Sequence, residues 1–226
     1  MIIWQMNAWQ LIVAGGPMMA PIFLCSVFAL AIIIEKLTYF SNINSNITTL
    51  RDTVFELLKK NDIKEAVTQC DNSPSPAAKI FKVGILKFGA SREELREVMQ
   101  DASLSEIPKL EQKLGILATI AHIAPLLGFL GTVIGIAGSF FTFQSRASAL
   151  NSISASDLAA GIWQALIATA AGLIVAIPVY IAYNYLVSRV NGIINEMEHG
   201  ATELVNLLSD LLEAQSAKKG GHKVEI

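Results

Sequence analysis

Thr132 and Thr169 are hydroxyl-bearing residues set among small ones, in GFLGTVIGIAGSF (residues 128–140) and GIWQALIATAAGLIVAIP (residues 161–178). Gly128, Gly131, Gly135 and Gly138 are spaced 3, 4 and 3 apart, which is one face of a helix. Gly161, Ala165, Ala168, Thr169, Gly172 and Ala176 make a second such face. In water each glycine costs a helix about 1 kcal/mol relative to alanine. In lipid, where hiding apolar area gains little, small residues let two helices pack closely. Thr132 lies 14 residues before Arg146 and Thr169 lies 12 after Asp157. At helical rise both hydroxyls therefore sit about 18–21 Å from the same charged edge. Matched depth on two small-residue faces suits a polar ring around a dry interface or pore, where a hydroxyl can hold an acid. The alternative for each threonine is a bond back to its own i−4 carbonyl, at Gly128 or Ala165.

Between Lys113 and Arg189 the only charges are Arg146 and Asp157. Proton relays in membranes use Asp, Glu or His, and this stretch offers His122 alone, nine residues past Lys113. His122 reads either as a hydrogen-bonded structural histidine or as an ion-path residue. The hydroxyls thus have no acid of their own, and a carboxylate has to come from another chain. Cys25 and Cys70 have no ligand companions at metal spacing and make no disulfide framework. No glycine-rich phosphate loop or strand-like alternation occurs. An enzyme, a cofactor and a nucleic-acid partner are all unsupported.

The elements that hold these residues follow from charge placement. The chain has 226 residues, 53% hydrophobic and 16% charged, against roughly 25% charge in soluble domains. Met1–Ile34, Leu114–Ser145 and Leu158–Ser188 carry no charge, and each exceeds the roughly 20 apolar residues a span needs. Lys36 to Lys113 holds twelve of the seventeen Lys and Arg residues, the chain from Arg189 holds four, and Arg146 is the remaining one. The positive-inside rule then predicts an N-terminus outside, a cytoplasmic middle segment and C-terminus, and a second loop outside. A cleaved signal peptide is disfavoured, because no basic residue precedes the first apolar run and no small-residue cleavage site follows it.

The expected fold class is an all-α membrane protein with three transmembrane helices and long cytoplasmic helical extensions. Residues 1–14, with Trp4 and Trp9, read as a periplasmic interfacial helix, or as the start of a longer tilted span. Gly15-Gly16-Pro17 breaks it, and transmembrane helix 1 occupies residues 15–40. Residues 41–112 form a cytoplasmic helical domain, with a turn at DNSPSP (71–76), Ser75 as N-cap and Pro76 as first helical residue. Ser91 and Glu94 make a capping box that opens a helix expected to run straight into transmembrane helix 2 (113–145), with a kink at Pro108. Residues 146–157 are a periplasmic loop and 158–188 are transmembrane helix 3. Residues 189–226 are a cytoplasmic amphipathic helix, apolar at Val190, Ile193, Ile194, Met197, Leu204, Leu208 and Leu211, with a frayed tail from about Gln215.

APLLGFLGTVIGI (124–136), GIWQALIATAAGLIVAIP (161–178) and the three-span layout resemble the MotA/TolQ/ExbB proton-channel family, closest to its ExbB and TolQ branch. The resemblance covers roughly residues 15–200. It implies a multi-pass subunit of the bacterial inner membrane that assembles as a homo-pentamer. The pentamer would surround an ExbD- or TolR-like single-span partner carrying a membrane aspartate. Proton motive force would then drive work on a TonB- or TolA-like protein that spans the periplasm. It also implies pore-lining roles for Thr132 and Thr169, and span-bending or span-ending roles for Pro125 and Pro178. Gln164 stands where the family's GIxEAL pattern usually has glutamate; it can hydrogen-bond but cannot titrate. A non-conducting membrane scaffold is the alternative that Gln164 keeps open.

Overall fold

The computed structural model describes residue 10, residues 13–148 and residues 155–221. The interfacial helix expected over residues 1–14 lies outside them except at residues 10, 13 and 14. Every regular element among the described residues is helical: α1 (Met19–Lys59), α2 (Ile63–Asn72), α3 (Pro76–Leu86), α4 (Arg92–Glu111), α5 (Leu114–Ser148) and α6 (Ala155–Gly221). Among the described residues three helices, α1, α5 and α6, contain stretches long and apolar enough to cross a membrane. The all-α, three-span expectation agrees with this architecture.

The chain divides into two compact units. The first comprises Met1–Glu35 and Lys113–Tyr185, and so contains the apolar parts of α1, α5 and α6. Its outward surface is made of large apolar side chains, among them Phe28, Phe129, Phe141 and Ile174, each more than 60% exposed. Small side chains fill its helix contacts, with Ala29, Ala124, Ala165 and Ala168 buried beside a few larger ones such as Ile22 and Leu117. A soluble domain reverses that arrangement, and a lipid-facing one requires it.

The second unit comprises Lys36–Gln112 and Leu186–Ile226 and is built as a water-soluble bundle is. Val54, Leu58, Phe81, Leu95, Met99 and Leu204 are buried at its centre. Val190, Ile193, Met197, Leu204 and Leu208 of the expected amphipathic face are buried, while Ile194 and Leu211 are half-buried. Caps set the helix starts. The Asp62 carboxylate accepts from Glu65 N at 3.2 Å and opens α2; Ser91 Oγ accepts from Glu94 N at 3.2 Å and opens α4. Ser75 holds the N-cap position of α3 with Pro76 following, as its sequence suggests, but its hydroxyl makes no cap bond.

One detail departs from expectation. Helix α4 does not run straight into α5. The backbone breaks at Gln112 (φ −48°, ψ 137°) and Lys113 (φ +69°), whereas Pro108 lies inside α4. A lysine in the left-handed region is an uncommon conformation for a side-chain-bearing residue, and side chains on α1 satisfy each side of the break. Lys36 Nζ donates to the Leu110 carbonyl at 3.0 Å, near the open end of α4, and Lys113 pairs with Glu35. Pro125 lies inside α5 and Pro178 inside α6, which continues to Gly221, so of the two roles expected for these prolines ending a helix does not apply.

Candidate functional site

Helices α5 and α6 meet backbone to backbone. A methyl group added at Gly172 would lie 2.6 Å from the Ala124 carbonyl oxygen and 3.1 Å from Gly128 Cα. One added at Gly128 would lie 3.0 Å from the Ala168 carbonyl oxygen and 3.1 Å from Thr169 Cα. Further along, a methyl on Gly131 would meet Ala168 Cβ at 2.6 Å, and one on Gly135 would meet Ala165 Cβ at 3.0 Å. Gly161 faces Gly135 and Ser139 across the same seam. Ala165 and Ala176 are both buried. Gly138 differs: added carbon there would meet nothing within 4 Å. Its place in the seam is taken by Ser139, which is buried and donates to its own Gly135 carbonyl at 2.9 Å. The stripe that meets α6 is therefore Gly128, Gly131, Gly135 and Ser139. Spacing alone did not single out Ser139, although continuing the rows by i+4 from Gly135 would have reached it.

The two threonines bond differently. Thr169 Oγ1 crosses between helices and donates to the Gly128 carbonyl at 3.1 Å. Thr132 Oγ1 bonds back within α5 to the Phe129 carbonyl at 2.5 Å. Neither uses its own i−4 carbonyl. The acceptors are consecutive, so two hydroxyls from antiparallel helices converge on one turn of α5. Both threonines are half-buried. Since a hydroxyl has one hydrogen and two lone pairs, each has committed its donor to a carbonyl and retains acceptor capacity.

Gln164 is placed elsewhere. It lies about 140° around α6 from Thr169 at 100° per residue, with its side chain over Gly16. A carbon added at Gly16 would lie 2.9 Å from Gln164 Cδ, and Gly16 has φ +73°. Glycine is required there on both counts. Next to it, a carbon added at Gly15 would lie 3.2 Å from Ile167 Cγ2. Gln164 thus packs the turn ahead of α1 against α6. His122 is exposed; its Nδ1 donates to the Ala118 carbonyl at 2.7 Å and its ring meets Tyr180 edge-on at 6.5 Å. Pro125 is half-buried and Pro178 exposed.

The second unit contains a charge cluster that the sequence did not reveal. The Glu106 carboxylate is 7% exposed and takes Lys79 Nζ at 3.1 Å and Lys109 Nζ at 2.5 Å. Burial pushes its pKa up, but the hydrogen bonds and charges of Lys109 and Lys79 outweigh burial and hold it below the usual value. Lys36 is also buried, with Nζ 5.4 Å from the ring centres of both Tyr39 and Phe40. Cys70 is buried as well; burial first, then the Asp71 charge, pushes its thiol up to about 11.

The geometry is thus a two-helix seam closed by small residues, with no Asp, Glu, Lys or Arg among its named contacts and with two hydroxyls bonded to consecutive carbonyls. A family model described as the MotA/TolQ/ExbB proton channel family matches residues 72–199, more than half of the chain. The chain belongs to the MotA/TolQ/ExbB proton channel family. The Tol-Pal system protein TolQ of Haemophilus influenzae is 30% identical over 208 residues, covering 87% of this chain and 88% of that one. An ExbB-like protein of Synechocystis sp. is 32% identical over 164 residues, 73% of this chain and 77% of that one. The biopolymer transport protein ExbB of Aquifex aeolicus is 38% identical over 108 residues, 48% of this chain and 70% of that one. Within the family the resemblance is to the ExbB/TolQ branch. The matched segment includes the whole α5–α6 seam.

Proposed function

We propose that the chain is the multi-span subunit of a proton-motive-force-driven motor in the bacterial inner membrane. It works with an ExbD/TolR-like single-span partner to energise a TonB- or TolA-like protein that spans the periplasm. Copies of the chain, five by the family resemblance, surround the partner's span, with the Lys-rich segment 36–113 and the C-terminus cytoplasmic. The observation that carries this reading is the convergence of Thr132 and Thr169 on consecutive carbonyls in a seam without an acid.

The chemistry follows from the hydrogen-bond inventory. A carboxylate in a dry seam is destabilised by desolvation, by up to roughly 3–5 pKa units. With both hydroxyl hydrogens committed to Gly128 and Phe129, the free valences of the threonines are acceptors, and an acceptor welcomes a protonated acid that donates its O–H. A charged carboxylate is welcomed only if a hydroxyl turns away from its carbonyl. The pair therefore favours the neutral form of a partner acid, and the acid ionises when it leaves. Each elementary charge moved through 100 mV is worth about 2.3 kcal/mol. Gln164, packed on Gly16, holds the turn before α1 and carries no proton.

Thr132 is the residue to test, because removing its bond to its own helix disturbs no interhelical contact. Thr132→Val should leave the complex with its partner assembled and abolish proton flux and energised uptake, whereas Thr132→Ser should retain both. Full activity of Thr132→Val would sink the role. Unchanged zero flux in wild type and variant alike would favour a non-conducting scaffold.

A further inference from the structure

We infer that α4 docks onto a second copy of this chain through an arginine groove that receives the neighbour's acidic stripe. The inference rests on the multi-copy reading above. Within the second unit, α4 and α6 enclose a cavity of about 340 Å³. Arg92, Arg96 and Gln100 line it along α4, and Met99, Ile107 and Val205 give an apolar floor. Arg92 donates to Asn206 Oδ1, which fixes the groove wall. Glu198 also lines the cavity, but about two turns from Asn206 along α6, level with Gln100 rather than with the arginines. Arg96 is exposed and has no partner within the chain among the described residues. Leu104, at the groove edge, is 59% exposed.

One residue further along α4, turned by 100°, runs a stripe of the opposite sign: Glu93, Glu97 and Asp101, spaced 4 and 4. All three are exposed and equally without a partner among the described residues. Membrane insertion decides what meets what. Copies that cross the bilayer in one sense are related by an axis along its normal, so the same residue lies at the same height in each. Arg92 of one copy is then within about 2 Å in height of Glu93 of the next, Arg96 of Glu97, and Gln100 of Asp101. The rungs repeat every four residues on both faces, so one match brings all three into register. The two faces are different, so the contact is head-to-tail, the kind that closes rings. Exposed ion pairs contribute little individually. They set which face meets which, while the exposed Leu104 and the half-buried Ile107 supply apolar area to bury.

The test uses the full-length chain, co-expressed as two tagged forms and purified in detergent. Arg96→Cys in one form and Glu97→Cys in the other should give a mixed disulfide dimer under mild oxidation, in excess over Arg96→Cys linked to itself. Adjacent cysteines in one helix cannot imitate this. In native mass spectrometry Arg96→Glu should raise the concentration needed for assembly about tenfold, and adding Glu97→Arg should restore it. The proposal is overturned if the oligomer is intact and no mixed disulfide forms, if charge reversal is not rescued, or if Arg96→Cys links instead to another protein. Assembly and cross-links are read without any activity. A chain that links as expected but drives no proton flux retains this interface and loses the motor reading.

Discussion

The α5–α6 seam and the bundle of the second unit solve the same packing problem with opposite materials. In the seam, backbone meets backbone at Gly128 and Gly172, the bonded side-chain polar atoms are hydroxyls, and no Asp, Glu, Lys or Arg takes part. In the bundle, Phe81, Leu95, Met99 and Leu204 fill the centre, and a buried carboxylate is held by two lysines. Where the surroundings are as apolar as the side chains, a large residue gains nothing by turning inward and close approach is the remaining source of attraction. Where the surroundings are water, large residues turn inward and contribute about 25 cal/mol per Å² buried. The contrast marks the seam as a place arranged to stay dry and uncharged.

The comparison breaks most visibly at Gly172. Gly172→Leu should prevent α5 and α6 from seating and leave no detergent-stable complex by size-exclusion chromatography. Gly172→Ala should already destabilise by about 1–3 kcal/mol, because the added carbon meets the rigid Ala124 carbonyl. Gly138→Ala should cost nothing in the folded chain. Equal damage at both positions would mean that Gly138 meets a neighbouring subunit.

Cys70 gives the next largest effect. With its thiol pushed to about 11 and its side chain buried, its thiolate fraction near neutral pH is about a hundredfold below that of an ordinary thiol. A membrane-impermeant maleimide should leave Cys70 unlabelled in the folded protein whichever side carries it. Topology is better read from Thr68→Cys, which is exposed two residues earlier on α2. Rapid labelling of Cys70 in the native protein would contradict its placement.

Glu106 sharpens the contrast from the bundle side. Its pKa is depressed in the folded state, so its contribution is fully present above the ordinary carboxyl value of 4.5 and is lost as pH falls through the lower, folded value. Thermal unfolding followed downward from pH 7 should show this loss on the acid side. Glu106→Gln should lower stability at pH 7 by about 1–3 kcal/mol and flatten that acid limb. An unchanged acid limb in Glu106→Gln would remove the carboxylate from the account.

What could be read from the sequence divides along the same line. The three spans and the seam residues Gly128, Gly131, Gly135, Ala165 and Gly172 follow from charge-free runs and small-residue spacing, which are local properties. The break at Gln112–Lys113 was not legible, because no glycine or proline stands there and Pro108 draws attention to the wrong turn. Lys113, in its left-handed backbone, pairs with Glu35 78 residues away, a contact no local pattern announces. Glu106 looks like any exposed helix glutamate until Lys79, 27 residues away, is placed beside it. Thr169 likewise finds its acceptor 41 residues away, and no spacing rule chooses Gly128 over Ala165.

That last choice yields the smallest effect. Thr169→Val removes one interhelical hydrogen bond and keeps the shape of the side chain. In membrane proteins such bonds average about 0.6 kcal/mol by double-mutant cycles, and the Gly128 carbonyl keeps its place in the α5 ladder, so it is not left buried without a partner. Thr132→Val removes a bond within one helix and should cost less still. If the hydroxyls serve only packing, activity should track these small stability losses, with Thr169→Val the more damaged. If they receive an acid, activity should fall far more than stability in both, and Thr132→Val should be at least as impaired. Measuring unfolding and proton flux on the two single variants side by side separates the cases, and a ranking of flux that follows the ranking of stability returns both threonines to the packing of the seam.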